Sequence, residues 1–196
     1  MDVLEAIRER RAVRSYTHAS VPNAVILDLL DAAVQAPSAV NSQPWAFAVI
    51  RGRARLHSYS ERAKTHMLSI LPQSIALHRR SDTLASADYN VFHGAGTLVV
   101  ICAKPGAYHS AEDCCLAAQN FMLAAHAAGL GTCPVGFVRP WLDLPEIKSE
   151  LGISQRLSVV MPITVGWPAE KTVAPPRREP DIACWHNASA ADHDAA

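Results

Sequence analysis

Residues 111–129 (AEDCCLAAQNFMLAAHAAG) limit the possible folds more than any other stretch of this chain. Their length and their wealth of Ala, Leu and Met read as a helix, with acids in the first turn and a glycine at the end. The segment has no polar stripe, so it must be covered on most sides and lie at the centre of the structure. Its many alanines let a neighbouring helix come close, and that neighbour can belong to a second subunit.

The remaining elements arrange themselves around this one. Residues 2–10 read as a short helix capped by Asp2, with Val3, Leu4 and Ile7 on one face. Residues 23–36 read as a second helix, with Asn23 as N-cap and Ile26, Leu27, Leu30, Ala33 and Val34 as its apolar stripe. It must end near Ala36, because Pro37 disfavours helical geometry at the residue before it. Residues 45–51 (WAFAVIR) are a strand, and the unbroken apolar run 97–103 (TLVVICA) is a strand buried on both faces. Residues 145–151 form a short helix with proline in its first turn, and residues 157–166 a strand in which Pro162 marks an edge or a bulge. Helices and strands alternate only partly, which favours α+β over a regular βαβ series.

The C-terminal end and one middle region are less regular. Residues 167–188 carry Pro168, Pro175, Pro176 and Pro180 and read as an extended arm, followed by a loose tail at 189–196. Residues 53–92 mix helical and loop signals. No repeat or linker divides the chain, so residues 1–188 are expected to form one domain.

Charge narrows the range of functions. The 196 residues hold 18 Lys plus Arg and 18 Asp plus Glu, so no net charge draws the protein to nucleic acid or an anionic membrane. No run reaches the roughly 18 apolar residues of a membrane span. The first residues lack the apolar core of a secretory signal, and a cytoplasmic location is expected. The five cysteines form no CxxC and read as reduced, small apolar residues. The nine histidines include no HExxH pair and no tight grouping with cysteine, so no metal site is expected. Cys184 and His186 lie two apart, but two ligands alone make no site. No GxSxG elbow marks a serine hydrolase.

Three segments concentrate the chemistry. Arg8, Arg10, Arg11 and Arg14 place four guanidinium groups within seven positions of a neutral chain. Such forks grip phosphate oxygens with paired hydrogen bonds, although the same spacing also suits a solvated basic surface. Ala36-Pro37-Ser38-Ala39-Val40-Asn41-Ser42-Gln43-Pro44-Trp45 is a proline-bracketed loop of small and amide residues. It can offer fixed polar groups to a planar heterocycle, or simply join helix to strand. Gly129-Leu130-Gly131-Thr132-Cys133-Pro134-Val135-Gly136 can bring backbone close to a ligand, or serve only as a helix cap and turn.

Together these segments resemble the nitroreductase family of flavoproteins. The family's opening Arg-Arg-Ser-x-Arg followed by an aromatic is similar to Arg10-Arg11-Ala12-Val13-Arg14-Ser15-Tyr16. Its Ala-Pro-Ser-x-x-Asn-x-Gln-Pro-Trp motif is matched at every named position by Ala36 to Trp45. Its Ala-rich helix ending in Gly-Leu-Gly resembles Ala117 to Gly131, and its closing strand and basic arm resemble Val165-Gly166-Trp167-Pro168-Ala169-Glu170 and Pro176-Arg177-Arg178-Glu179-Pro180. Two departures stand out: Ala12 replaces the usual serine, and Ala95-Gly96 replaces a frequent Ala-Pro.

The resemblance implies an α+β fold with a mixed, mainly antiparallel sheet flanked by helices. It implies a homodimer with FMN at the subunit interface. Arg10, Arg11, Ala12 and Arg14, with Arg178 of the arm, would hold the phosphate and ribityl end. Pro37, Ser38, Ala39 and Asn41 would meet the isoalloxazine from the other subunit. Pro134, Val135 and Gly136 would lie near its N5 edge, with main-chain N–H groups of Val135 and Gly136 as donors. The implied activity is ping-pong transfer of hydride from NAD(P)H through FMN to a nitroaromatic, quinone or other electron-poor small molecule. The flavin carries the chemistry, so no side chain is named as catalytic acid or base. Residues 53–92 become the variable lid, with Tyr59, Tyr89 and Phe92 as stacking partners for substrate. Reductive dehalogenation, flavin fragmentation, or flavin binding without turnover are the alternatives on the same scaffold.

Overall fold

The computed structural model describes residues 1–70 and 82–186. The expected tail at 189–196 and part of the expected lid lie outside the described residues. Four strands form one sheet in the order β1-β2-β4-β3: β1 (Trp45–Arg51), β2 (Thr97–Ala103), β3 (Gly131–Pro134) and β4 (Ser158–Gly166). Every pairing among them is antiparallel. The parallel component is the isolated bridge between Ala12 and Thr132.

β2 is apolar throughout because both of its faces are covered. Val99, Ile101 and Ala103 pack with α2 (Asn23–Val34) and the long α4 (Ser110–Ala127). Leu98, Val100 and Cys102 pack with α3 (Arg53–Ile70), α5 (Arg139–Leu142) and α6 (Pro145–Leu151). Pro162 was expected at an edge or a bulge. The bulge is there, since Ile101 pairs with Met161 while Cys102 pairs with Val159, leaving Val160 as the extra residue. The strand is not an edge, because β3 occupies its other side.

α4 is central, as its composition requires, with Cys114, Ala117, Phe121 and Ala125 buried. Leu116 and Cys115 on its opposite side are nevertheless exposed. The same holds for α1 (Val3–Glu9). Its Asp2 cap forms as expected and is part of a capping box, with Asp2 accepting from the Val3 N–H at 2.8 Å and Glu5 accepting from the Asp2 N–H at 3.2 Å. Its apolar face of Val3, Leu4 and Ile7, however, is exposed and only Ala6 is buried. In α2, Pro22 rather than Asn23 holds the cap position, and the Asn23 amide oxygen accepts from the Arg51 guanidinium instead. Leu29 joins Ile26 and Ala33 in its buried stripe, while Leu27 is exposed.

The expected lid is mostly ordinary structure where it is described. Residues 53–70 form α3, and its buried Lys64 donates to the main-chain oxygens of Ser86 (3.0 Å) and Tyr89 (3.1 Å). Residues 171–186 follow no regular element and are exposed, in keeping with an extended arm. No helix among the described residues is long and apolar enough to cross a membrane.

Candidate functional site

The arginine-bearing segment leaves α1 in extended form and lies along β3. The Val13 N–H donates to the Thr132 oxygen at 2.9 Å, and further on the Thr17 N–H donates to the Trp167 oxygen. Two glycines make the seat. A Cβ on Gly131 would meet Val13 Cγ2 at 2.6 Å, and one on Gly166 would meet Tyr16 Cδ1 at 2.9 Å. Tyr16 then locks the segment: its hydroxyl is 2.8 Å from the Val13 oxygen, to which it donates, and 2.9 Å from Thr164 Oγ1. Burial pushes that hydroxyl well above its ordinary pKa, so it stays protonated. The aromatic after the arginines is thus an anchor.

Around this segment the guanidinium groups gather beside a cavity that the carboxylates of Glu9 and Glu170 also line, without forming an ion pair to them. Arg10, Arg11 and Lys171 line this cavity of about 780 Å³ with His126 and Thr132. Arg10 is held below its ordinary pKa by burial first, then by the charges of Arg11 and Arg177. The arm therefore brings Arg177, the neighbour of the expected Arg178, toward the phosphate-binding candidates. Among the described residues, no carboxylate forms an ion pair with Arg10, Arg11 or Arg14. Arg11 Nε and His126 Nε2 are buried and have no hydrogen-bond partner. Unpaired buried polar atoms of this kind are costly unless a ligand completes them.

Arg14 belongs to a second, adjoining cavity of about 460 Å³, lined also by Tyr89, His93, Cys133, Pro134, Val135 and Gly136. Burial raises the Cys133 thiol above its ordinary value, opposed by the charges of Arg14 and Arg10 and by a hydrogen bond with Arg14. The Val135 N–H is already taken, donating to the Pro162 oxygen at 2.9 Å as β3 ends. Of the two main-chain donors expected here, Gly136 is the one left for a ligand.

The three stacking candidates part company. Tyr89 lines this cavity. Phe92 is fully buried in the core and presents no face. Tyr59 is buried, its ring 5.7 Å from Trp141 and capped by Arg62 at 5.5 Å. The sequence assigns no role to His93, Cys133, Arg177 or Thr164. Cys133 and Arg177 stand inside the glycine-bearing segment and the basic arm, Thr164 is a polar residue inside an apolar strand, and His93 carries no local signal.

The proline-bracketed loop lies elsewhere. The Ala39 N–H donates to both carboxylate oxygens of buried Asp113 in α4, at 3.3 and 3.2 Å. Ser38 Oγ accepts from the Gln43 N–H at 3.0 Å, and Asn41 Oδ1 from the Gln43 amide at 3.2 Å. Val40, Asn41 and Gln43 all hold left-handed φ, and Val40 is fully exposed. A β-branched residue held there with no packing to reward it marks a conformation the surroundings impose. The loop feeds edge strand β1, whereas Pro134 ends edge strand β3. Three strand spacings, roughly 14 Å, separate those edges. Ala39 and Val40 line a different cavity, shared with Lys104 and Tyr108. One chain does not bring the loop to the arginines. Among the described residues no cluster suited to a metal ion is present.

Comparison with known proteins agrees with this arrangement. The model of the nitroreductase family matches residues 7–167. A protein of Methanothermobacter thermautotrophicus, provisionally named an NADH dehydrogenase/NAD(P)H nitroreductase, is 33% identical over 177 residues, covering 87% of this chain and 79% of that protein. An NADH dehydrogenase of Thermus thermophilus is 26% identical over 187 residues, covering 87% of this chain and 89% of that one. The crystal structure of a nitroreductase with bound FMN from Bacteroides fragilis superposes with a TM-score of 0.80 at 26% identity, covering 96% of this chain and 100% of that chain. By sequence and by fold alike, the chain belongs to the nitroreductase family.

Proposed function

We propose that this chain is an NAD(P)H-dependent oxidoreductase that binds FMN between two copies of itself and reduces electron-poor organic molecules such as nitroaromatics and quinones. The observation that carries the reading is the crowding of Arg10, Arg11 and Arg177, none of them ion-paired among the described residues, with the orphaned Arg11 Nε beside a cavity. A phosphate monoester fits it: it brings up to two negative charges and several acceptor oxygens. Relatives named for NAD(P)H oxidation and a family neighbour with bound FMN support the choice of cofactor.

The cofactor residues then divide into two sets. Arg10, Arg11, Arg177 and Arg178 would hold the phosphate, with Ala12 alongside and Arg14 directing its positive charge toward the ring. Pro134, Val135 and Gly136 would border the ring, with the Gly136 N–H as donor. Pro37, Ser38, Ala39 and Asn41 would approach from the second copy, because within one chain they lie at the opposite sheet edge. The exposed apolar faces of α1 and α4, with Leu4, Ile7 and Leu116, supply the surface such a dimer would cover. When bound, FMN supplies the hydride-accepting ring that links nicotinamide oxidation to acceptor reduction. The side chains bind, orient and electrostatically favour the negatively charged reduced ring, and none is needed as nucleophile.

The test is direct. Purified protein is expected to be yellow, to release FMN on denaturation, and to bleach without air when NADH or NADPH is added. Nitrobenzene or 1,4-benzoquinone is expected to restore the colour. Colourless protein that takes up no FMN would end the proposal. A light-scattering mass of one chain with flavin bound would end its shared-site part.

A further inference from the structure

His93 is an ionisable side chain of the Arg14 cavity that the site described above leaves without a task. It sits on a turn fixed from several directions. The His93 N–H donates to the Asn90 oxygen at 2.9 Å, and the Ala95 N–H to the Phe92 oxygen at 3.0 Å. Asn90 Oδ1 accepts from the Phe92 N–H at 2.8 Å, and Ser60 Oγ accepts from the Val91 N–H at 2.9 Å. Behind the turn, the Arg53 guanidinium donates to the Gly94 oxygen. His93 itself takes a φ of 55°, a left-handed conformation that the surrounding bonds must enforce.

The turn aims an imidazole at the cavity and gives it no hydrogen-bond partner. Its ring meets Tyr89 edge-on, with centroids 6.2 Å apart. No hydrogen bond to either ring nitrogen is made among the described residues. Burial and the nearby Arg14 charge hold its pKa down to about 4, so at neutral pH the ring carries one N–H donor and no charge. The cavity wall opposite is Pro134 to Gly136, where the ring edge would lie.

Building on the proposed function, we infer that His93 is the hydrogen-bond donor that seats the oxidising substrate, gripping a nitro or quinone oxygen against Tyr89 beside the Pro134–Gly136 turn. The cavity's volume of about 460 Å³ lies in the range of small-molecule sites. A neutral donor suits such acceptors, because it binds an oxygen without demanding that the acceptor bear a charge.

The experiment uses the FMN-loaded protein with NADH or NADPH in excess and compares two acceptors. 1,4-Benzoquinone offers an oxygen to His93; ferricyanide accepts electrons without such a seat. His93→Phe keeps a flat ring and removes both nitrogens. His93→Asn keeps a donor and suits left-handed φ. For His93→Phe the benzoquinone KM is expected to rise about three- to tenfold, with kcat held within about twofold. The benzoquinone-to-ferricyanide ratio of kcat/KM falls by the same factor, and His93→Asn restores most of it. That ratio is independent of the fraction of protein folded. An unmoved ratio in His93→Phe, with normal bleaching by the nicotinamide, overturns the role of His93 alone. A wild-type flavin that neither nicotinamide bleaches overturns the proposed function beneath it.

Discussion

The two halves of the candidate site are built on opposite principles. The proline-bracketed loop has geometry and no charge. Its main chain is fixed by Asp113, Ser38 and Gln43, even to the point of holding Val40 left-handed and bare. The arginine segment has charge and little to balance it. Its guanidinium groups crowd one another, and a buried donor is left open. In the proposed site one half would meet a flat ring and the other an anion. Because one chain sets them at opposite sheet edges, the proposed site draws each half from a different copy.

The sharpest way to break this contrast is to remove the charge. Arg10→Ala with Arg11→Ala is expected to weaken FMN binding at least about 100-fold, since charge-assisted hydrogen bonds contribute about 1.5–3 kcal/mol each. Flavin fluorescence titration measures it, and unchanged affinity would remove the arginines from the site. Next comes the seat. Gly131→Ala drives a methyl into Val13 and is expected to lower stability by about 1–3 kcal/mol, read by thermal melting, while also weakening FMN. On the geometric side, Asp113→Ala frees the Ala39 N–H and leaves the guanidinium cluster untouched. It is expected to cost about 1–2 kcal/mol and to slow turnover more than it reduces flavin content. Equal loss of both would erase the distinction between the halves.

A smaller effect follows from pH. His93 titrates near 4 in the folded chain and near its ordinary 6.5 when unfolded. Between these values the unfolded chain binds a proton that the folded chain refuses. The stabilisation is complete above about 6.5 and is lost as pH falls toward 4. Arg14, Tyr89 and Cys133 face the ring, Arg53 lies behind its turn, and His57 contacts Asn90. From pH 7 to 5 the loss is expected to be about 1–2 kcal/mol, and His93→Asn should flatten that slope in denaturant titrations. Smallest is Arg62→Ala. Its paired bonds to Glu150, at 2.9 and 2.7 Å, are solvent-exposed, so the change is expected to stay below about 1 kcal/mol.

Local periodicity carried much of the fold. β1 and β2 begin and end where their apolar runs do, and α6 starts at its proline. The direction of each helix face was harder to read. Val3, Leu4 and Ile7 look like a buried stripe, and in one chain they are not, because the surface that would cover them is not encoded in that neighbourhood of the sequence. The site was legible where chemistry concentrates in consecutive residues, as at Arg10–Arg14 and Ala36–Trp45. His93 joins it through tertiary folding alone. Val135 illustrates the converse: its N–H looked available until strand pairing claimed it.

The crowded guanidinium groups also bear on how the protein survives between uses. Guanidinium groups this close repel one another, and an anionic occupant relieves that repulsion. The empty protein is therefore expected to be the more fragile, and its melting point to climb with FMN supply as stability gains about 2.7 kcal/mol at a ligand level 100 times the dissociation constant. A cell short of FMN would lose not only the activity of this protein but its folded population.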